Sequence, residues 1–337
     1  MRVDDAGVPP VAFVQLLKSN ALDLPAVERL RRVMTREEVD VSTLVKHGVQ
    51  APLRWFREVY PGLDVNQATL LGVAFAGQAQ LTSFGPLSFP LVSAGSVAEI
   101  MKLLEFLPLI TTAVSPHFCA SDRGLTVGFT GHTSDSALDC LAVTYCGSVL
   151  LRLLDMLVDD ARTITLHIGW PAPVVMTEHE DNLWLAGRLL FDAPMSYLHV
   201  PADTLSEVCR FSDPVAYRLA VSELTRDLDQ RSGTTSYSAK VRQLLEEDPS
   251  RRSSQSVSDE LSVSTSTLKR RLAEEGTTFR ELRESCLREN AVLLLLTRSM
   301  SASQIATELG YGDPTNFSHA FKRWTGLSPR QFRLARR

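Results

Sequence analysis

Ser264-Thr265-Ser266-Thr267-Leu268-Lys269-Arg270-Arg271-Leu272-Ala273-Glu274-Glu275-Gly276 and Asp313-Pro314-Thr315-Asn316-Phe317-Ser318-His319-Ala320-Phe321-Lys322-Arg323-Trp324-Thr325-Gly326 are built alike. Each opens on a residue whose side-chain oxygen can cap a helix, Ser264 or Asp313, and each closes on a glycine suited to the left-handed position past a helix end. Pro314 stands at the first helical position, where its missing N–H costs nothing. Leu268 and Leu272 turn one face of the first helix inward, and Phe317, Phe321 and Trp324 do so in the second. A shorter apolar pattern precedes each. Val257 and Leu261 mark one, with the turn Leu261-Ser262-Val263; Ile305, Ala306 and Leu309 mark the other, stopped by Gly310. Two helix-turn-helix patterns therefore lie in tandem. One alone is mimicked by many helical hairpins, whereas two with matched turns and caps argue against a plain bundle.

What remains on the outer faces is polar and basic: Thr265, Ser266, Lys269, Arg270 and Arg271 on the first helix, and Thr315, Asn316, His319, Lys322 and Arg323 on the second. The major groove admits a helix, and short polar side chains at its start reach base edges. A connecting helix over 280–296 would span roughly 25 Å at about 1.5 Å per residue. With helix widths added, both units could enter successive major grooves about 34 Å apart on one DNA face. Arg270 is suited equally to a bidentate guanine contact and to a phosphate clamp. Arg271, Arg323 and Arg330 suit backbone positioning better than base reading, while Lys322, beside the buried stripe, is as compatible with a plain surface role.

Charge agrees in direction. The whole chain of 337 residues has a formal net charge of −4. A split at the polar tract 230–238 gives residues 239–337 17 basic against 12 acidic side chains, net +5, and leaves −9 on the rest. A basic module behind an acidic one suits a polyanionic partner.

The same residues resemble the AraC/XylS family of bacterial transcription regulators. The match runs through Thr267-Leu268-Lys269-Arg270-Arg271-Leu272, Gly276-Thr277-Thr278-Phe279, Ile305-Ala306, Leu309-Gly310-Tyr311, Asp313, Phe317-Ser318, Ala320-Phe321-Lys322-Arg323-Trp324, Gly326 and Ser328-Pro329, nearly all of residues 240–335. The resemblance implies that Ser266, Lys269 and Arg270 face one groove and Thr315, Asn316 and His319 the other. His319 stands where members of that family commonly have arginine, and at neutral pH histidine is the weaker anion partner.

Ahead of the tract, helices and strands alternate. Ser96-Val97-Ala98-Glu99 has the form of a capping box. Residues 116–120 and 125–129 read as a hairpin about the turn 121–124, residues 136–158 as one long buried helix, and residues 163–168 and 195–200 as strands. Residues 184–190 read as a helix or turn. After Asp213 the pattern is wholly helical. Phe84-Gly85-Pro86-Leu87, His167-Ile168-Gly169-Trp170-Pro171 and Trp184-Leu185-Ala186-Gly187-Arg188-Leu189-Leu190-Phe191-Asp192-Ala193-Pro194-Met195 look like the ligand-binding and dimerisation domain of one AraC-type subgroup, named after arabinose binding. The expected architecture is an α+β domain over 1–229, a linker over 230–238 and an all-α tandem helix-turn-helix domain over 239–337.

Chemistry is harder to place. Tyr145-Cys146-Gly147-Ser148 superficially resembles a nucleophile elbow, but the helical stripe beginning at Leu138 puts Cys146 mid-helix, where nothing lowers a thiol pKa. Glu178-His179-Glu180-Asp181 lacks a second ligand source, and His117-x-Cys119 supplies only two ligands. Phosphate-binding, dinucleotide and zinc-protease motifs are missing. Neither an enzyme nor a cofactor is expected. Apolar residues at 44% and charged at 22% are ordinary globular values. The longest apolar runs fall well short of the roughly 18–20 residues of a membrane span, and five cysteines without a C-x-x-C pair suit a reducing compartment.

The expectation is a cytoplasmic DNA-binding regulator, activator or repressor. Double-stranded DNA is its partner, with a small-molecule effector of unstated identity, a second copy of itself, RNA polymerase as a candidate contact, and no membrane. Two alternatives stay open. The N-terminal domain could serve only to dimerise a constitutive regulator, or it could use Cys146 for thiol-based catalysis or sensing.

Overall fold

The structure, a computed structural model, describes residues 6–18, 22–46, 48–173, 185, 187–232, 237–297 and 300–334. It divides into two compact units, residues 1–118 with 127–229 and residues 119–126 with 230–337.

Short helices dominate the first part: α1 (Pro10–Lys18), α2 (Leu24–Arg36), α3 (Val41–Lys46), α4 (Trp55–Val59) and α5 (Val65–Gly77). Strands β1 (Gly7–Val8) and β2 (Ala51–Pro52) pair antiparallel among them. The chain then runs through the 3-10 segment η1 (Leu81–Leu87), α6 (Ser88–Ser93), α7 (Val97–Lys102) and a second 3-10 segment, η2 (Leu103–Leu109). Pro86 and Pro108 lie inside the 3-10 segments, and Gly85, at φ 53°, breaks η1. The hairpin follows as β3 (Val114–Ser121) and β4 (Gly124–Gly131), then α8 (Ser136–Leu157), β5 (Thr165–His167), β6 (Leu189–Leu190), β7 (Ser196–Pro201), α9 (Ala202–Leu205) and α10 (Pro214–Ser232). The larger sheet has the order β3-β4-β7-β5-β6. In it β5 pairs antiparallel with β7 and parallel with β6, and the cross-strand pair His167–Tyr197 stacks at 4.2 Å between ring centres.

The long helix α8 organises this unit. Asp135 caps it, accepting from the Ala137 and Leu138 N–H groups at 3.0 and 3.2 Å, and Arg57 Nε donates to the same carboxylate at 2.8 Å. Small residues let neighbours come close: a Cβ on Gly72 of α5 would lie 2.9 Å from Thr144, and one on Gly147 would lie 2.5 Å from Leu166 of β5. At the far end the buried Arg188 donates to both Asp155 oxygens at 2.8 Å, to the Ile164 carbonyl at 3.1 Å and to the Ala161 carbonyl at 3.0 Å. One side chain thus ties the end of α8 to the start of β5. Arg188→Ala leaves those acceptors unmatched, and thermal denaturation should show a loss of about 2–4 kcal/mol.

Three sequence readings change. α8 is long and apolar enough, by length and composition, to cross a membrane, although no uninterrupted apolar run reveals it. Of its most apolar window 72% is buried within the fold, as in the core helix of a globular unit. Ser96 does cap α7, its Oγ accepting from Glu99 N–H, but the Glu99 carboxylate reaches back to Gly95 N–H at 2.6 Å, one residue earlier than a capping box requires. Within 184–190, read as a helix or turn, Gly187 and Arg188 do form a turn, but Leu189 and Leu190 form the strand β6.

From Pro214 onward the described elements are helices, as expected. The tract read as a linker is largely taken up by them: Gln230–Ser232 end α10, and α11 (Tyr237–Glu247) begins where the tract closes, while residues 233–236 lie outside the described residues. Then come α12 (Ser254–Glu260), α13 (Thr265–Glu274), α14 (Phe279–Thr297), α15 (Ala302–Glu308), α16 (Pro314–Thr325) and α17 (Pro329–Leu334). Val241, Leu245, Val257, Leu268, Leu272 and Cys286 form the core of the first half. In the second half Phe317, Phe321 and Phe332 pack ring against ring at 5.8 and 5.2 Å. The connecting helix α14 has 19 residues, about 28 Å at about 1.5 Å each.

Candidate nucleic-acid interface

In the first helix-turn-helix, α12 ends at Leu261 and the chain turns through Ser262, at φ 55°. Ser264 then caps α13, accepting from Thr267 N–H at 3.1 Å. Leu268 and Leu272 are buried, which leaves Thr265, Ser266, Lys269, Arg270 and Arg271 exposed. Their engagements differ. Arg270 bonds Glu274 Oε1 at 2.6 Å, and Arg271 lies 3.6 Å from the other oxygen. Arg271 also sits over the Tyr237 ring, 5.7 Å from its centre. Lys269 forms no ion pair among the described residues. Gly276, at φ 75°, stands just past the Glu275 cap.

The second unit repeats the plan with a different cap. Asp313 accepts from Thr315 N–H at 2.8 Å, Pro314 opens α16, and Gly326 closes it in the left-handed conformation. Thr315, Asn316, His319, Lys322 and Arg323 are exposed. Phe317 and Phe321 are fully buried, but Trp324 is only half-buried, contrary to its reading as core. Its indole N–H donates to Glu284 Oε1 at 2.7 Å, and Arg323 donates to the same oxygen at 2.7 Å. Those bonds hold the Glu284 carboxyl below its usual range. Arg323 is therefore committed to α14 in this state. The Arg270–Glu274 pair is visible in the sequence as an i,i+4 spacing; Glu284 lies 39 positions from Arg323, and no local signal marks it.

Gly310 ends α15 at φ 74°, and a Cβ there would lie 2.8 Å from the Ser250 side chain. Gly310→Ala should therefore cost about 1–3 kcal/mol, through strain and a clash with the loop after α11, measured as a lower melting temperature.

The N-terminal unit holds two adjoining clefts of about 510 and 730 Å³ that share Val8, Pro9, Ala142 and Tyr145. Cys146 lines the larger one from the middle of α8. Burial pushes its thiol up to about 12, opposite to what a nucleophile needs. Iodoacetamide at pH 8 should modify Cys146 at least about tenfold more slowly in native than in urea-unfolded protein, a ratio read by peptide mass analysis. The described residues hold no group of three or more potential metal ligands; residues 178–181 lie outside them.

Residues 257–335 match the family model of a helix-turn-helix domain. Residues 63–208 match that of the arabinose-binding domain of AraC transcription regulators, N-terminal. The chain belongs to the AraC family of transcription regulators. It is a DNA-binding regulator of a non-enzymatic family, with a mixed α/β N-terminal region and a helical C-terminal domain. Among its relatives, an uncharacterized HTH-type transcriptional regulator of Mycobacterium tuberculosis is 26% identical over 288 residues, 78% of each chain. The ornithine utilization regulator of Pseudomonas aeruginosa is 22% identical over 289 residues, 81% of this chain and 84% of that one. The crystal structure of the transcriptional regulator CdpR from Pseudomonas aeruginosa aligns over 94% of this chain and 100% of its own, at 19% identity and a TM-score of 0.39.

Proposed function

We propose that this AraC-family regulator reads two successive major grooves of double-stranded DNA with the first turns of α13 and α16. The observation that carries this reading is the pair of capped helices whose first two turns expose Thr265, Ser266 and Lys269 in one unit and Thr315, Asn316 and His319 in the other. Arg270 adds a base or phosphate contact once it leaves Glu274. Arg271, Lys322 and Arg323 position the backbone. The N-terminal domain, over residues 1–229, binds a small-molecule effector and supports a homodimer in the cytoplasm, with RNA polymerase as a candidate contact. An effector changes DNA engagement only through unequal affinity for two arrangements of the protein.

The test is binding of the full-length protein to its own upstream DNA and to a scrambled duplex across a salt series. The reading predicts preference for the native segment and an affinity that falls linearly in log salt. Equal, weak binding to both duplexes, with and without candidate effectors, contradicts it.

A further inference from the structure

The two clefts in the N-terminal unit have a composition that defines what they accept. The empty space within them, part of it open to solvent, is about 510 and 730 Å³. They adjoin where both are lined by Val8, Pro9, Ala142 and Tyr145. One stripe of α8 forms a wall, because Ala142, Tyr145, Cys146, Val149, Leu150 and Leu153 recur at helical spacing. The smaller cleft is completed by α1 and by Leu53 and Phe56, which precede the region matched by the arabinose-binding model. The chamber therefore includes walls that the matched region does not supply.

Among the described residues, no Asp, Glu, Lys, Arg or His lines either cleft. A charged ligand group would lose its hydration there and meet no counter-charge. The lining polar side chains are mostly committed to the protein. Thr111 Oγ1 donates to Gly7 O at 2.6 Å and accepts from Ala113 N–H at 3.1 Å. Ser83 Oγ donates to Gln15 and accepts from Gln80 N–H, and Gln15 Nε2 donates to Thr82 Oγ1 at 2.9 Å. Gln78 is exposed.

The Tyr145 hydroxyl and the Cys146 thiol are different. Neither makes a side-chain hydrogen bond among the described residues. Both sit in mid-helix on the core helix, yet each keeps an intermediate share of its surface; both line the larger cleft, so that surface faces the empty space. Burial raises the pKa of both, which keeps them neutral at physiological pH.

We infer that this chamber binds an uncharged, predominantly apolar molecule, an aliphatic chain or ring system bearing one hydrogen-bonding group. That group meets the Tyr145 hydroxyl, and the body lies along the α8 stripe. The inference rests on the effector reading above and names its ligand class: neither a sugar, whose several hydroxyls would outnumber the Tyr145 hydroxyl and the weakly bonding Cys146 thiol, nor an amino acid, whose charges would find no counter-charge.

The probe is N-phenyl-1-naphthylamine, a neutral dye that brightens in apolar surroundings, titrated into the full-length protein. Competitors are 1-decanol, decanoate, D-xylose and L-lysine. The dye should bind, and 1-decanol should displace it at a concentration at least about tenfold below that of decanoate, while D-xylose and L-lysine leave it bound. Ala142→Trp fills the junction of the clefts and should abolish dye binding with the circular dichroism spectrum preserved. Tyr145→Phe changes no wall and should weaken 1-decanol about three- to tenfold while sparing the dye; it keeps the test decisive should the tryptophan variant fail to fold. Equal displacement by decanoate, dye binding that survives in folded Ala142→Trp, or 1-decanol unaffected by Tyr145→Phe would each overturn the inference. A thermal shift with D-xylose or L-lysine and no dye binding would overturn the apolar class while leaving the effector reading standing. Dye and 1-decanol binding that never alters DNA affinity would remove the effector role while the site remained.

Discussion

Alanine at Glu289 is expected to destabilise the C-terminal unit by about 3–5 kcal/mol, the cost of breaking a buried ion pair by removing one member. Glu289 sits on α14 with its side chain 5% exposed, and Arg242 of α11, 12% exposed, donates to it at 2.6 Å. Ser285 Oγ donates to the other carboxylate oxygen at 2.8 Å. The pair clamps the first helix of the unit to the helix that joins its two halves. Thermal denaturation of the full chain should show a transition lowered by several degrees in Glu289→Ala. The double variant Arg242→Met/Glu289→Leu should recover most of the loss, because well-packed apolar side chains remove both desolvation costs together. A single variant within about 0.5 kcal/mol of the parent would mean that the pair is not buried in solution.

Lys269→Ala and Arg270→Ala should separate positioning from reading. Lys269 has no competing ion pair among the described residues. If its ammonium neutralises a phosphate, Lys269→Ala should weaken binding to all sequences alike and reduce the salt slope by about one. Arg270 must leave Glu274 before it reaches DNA. If it pairs with guanine, Arg270→Ala costs about 1–3 kcal/mol, roughly 5- to 150-fold, and relaxes specificity at one base pair. Gel-shift titrations on matched and single-base-substituted duplexes distinguish the two outcomes. His319→Arg introduces a permanent charge in the second turn of α16 and should tighten binding and steepen the salt dependence. No change from any of the three would place these helices away from DNA.

The helix-turn-helix units were legible because their signals are local. A cap residue acts on N–H groups two or three positions away, a glycine past a helix end acts on the last turn, and a buried stripe repeats every three or four residues. Ser264, Asp313, Gly276 and Gly326 stand where those rules place them. The hairpin, α8 and the flanking strands of the N-terminal unit follow the same logic. What the sequence hid depends on partners far along the chain. Trp324 has the spacing of a core residue, yet Glu284 draws its indole to the edge of the core. Arg242 and Glu289 are 47 positions apart, and nothing near either marks an ion pair. The run-length test missed how apolar α8 is, because Asp139, Thr144, Ser148 and Arg152 interrupt it without undoing its hydropathy. The clefts are spaces among α1, α5, α8 and the 3-10 segments, and a space has no sequence signature.

The central claim, two helices in two grooves, is tested most directly by hydroxyl-radical footprinting. Full-length protein would be bound to a duplex of about 40 base pairs selected from a random pool for tight binding. The account predicts two protected patches on one face of the DNA, centred about one helical turn (roughly 10–10.5 base pairs) apart for each bound copy, with the α16-side patch lost in Thr315→Ala/Asn316→Ala and the α13-side patch retained. A single patch for each copy, or two that vanish together in that variant with the protein still folded, would contradict it.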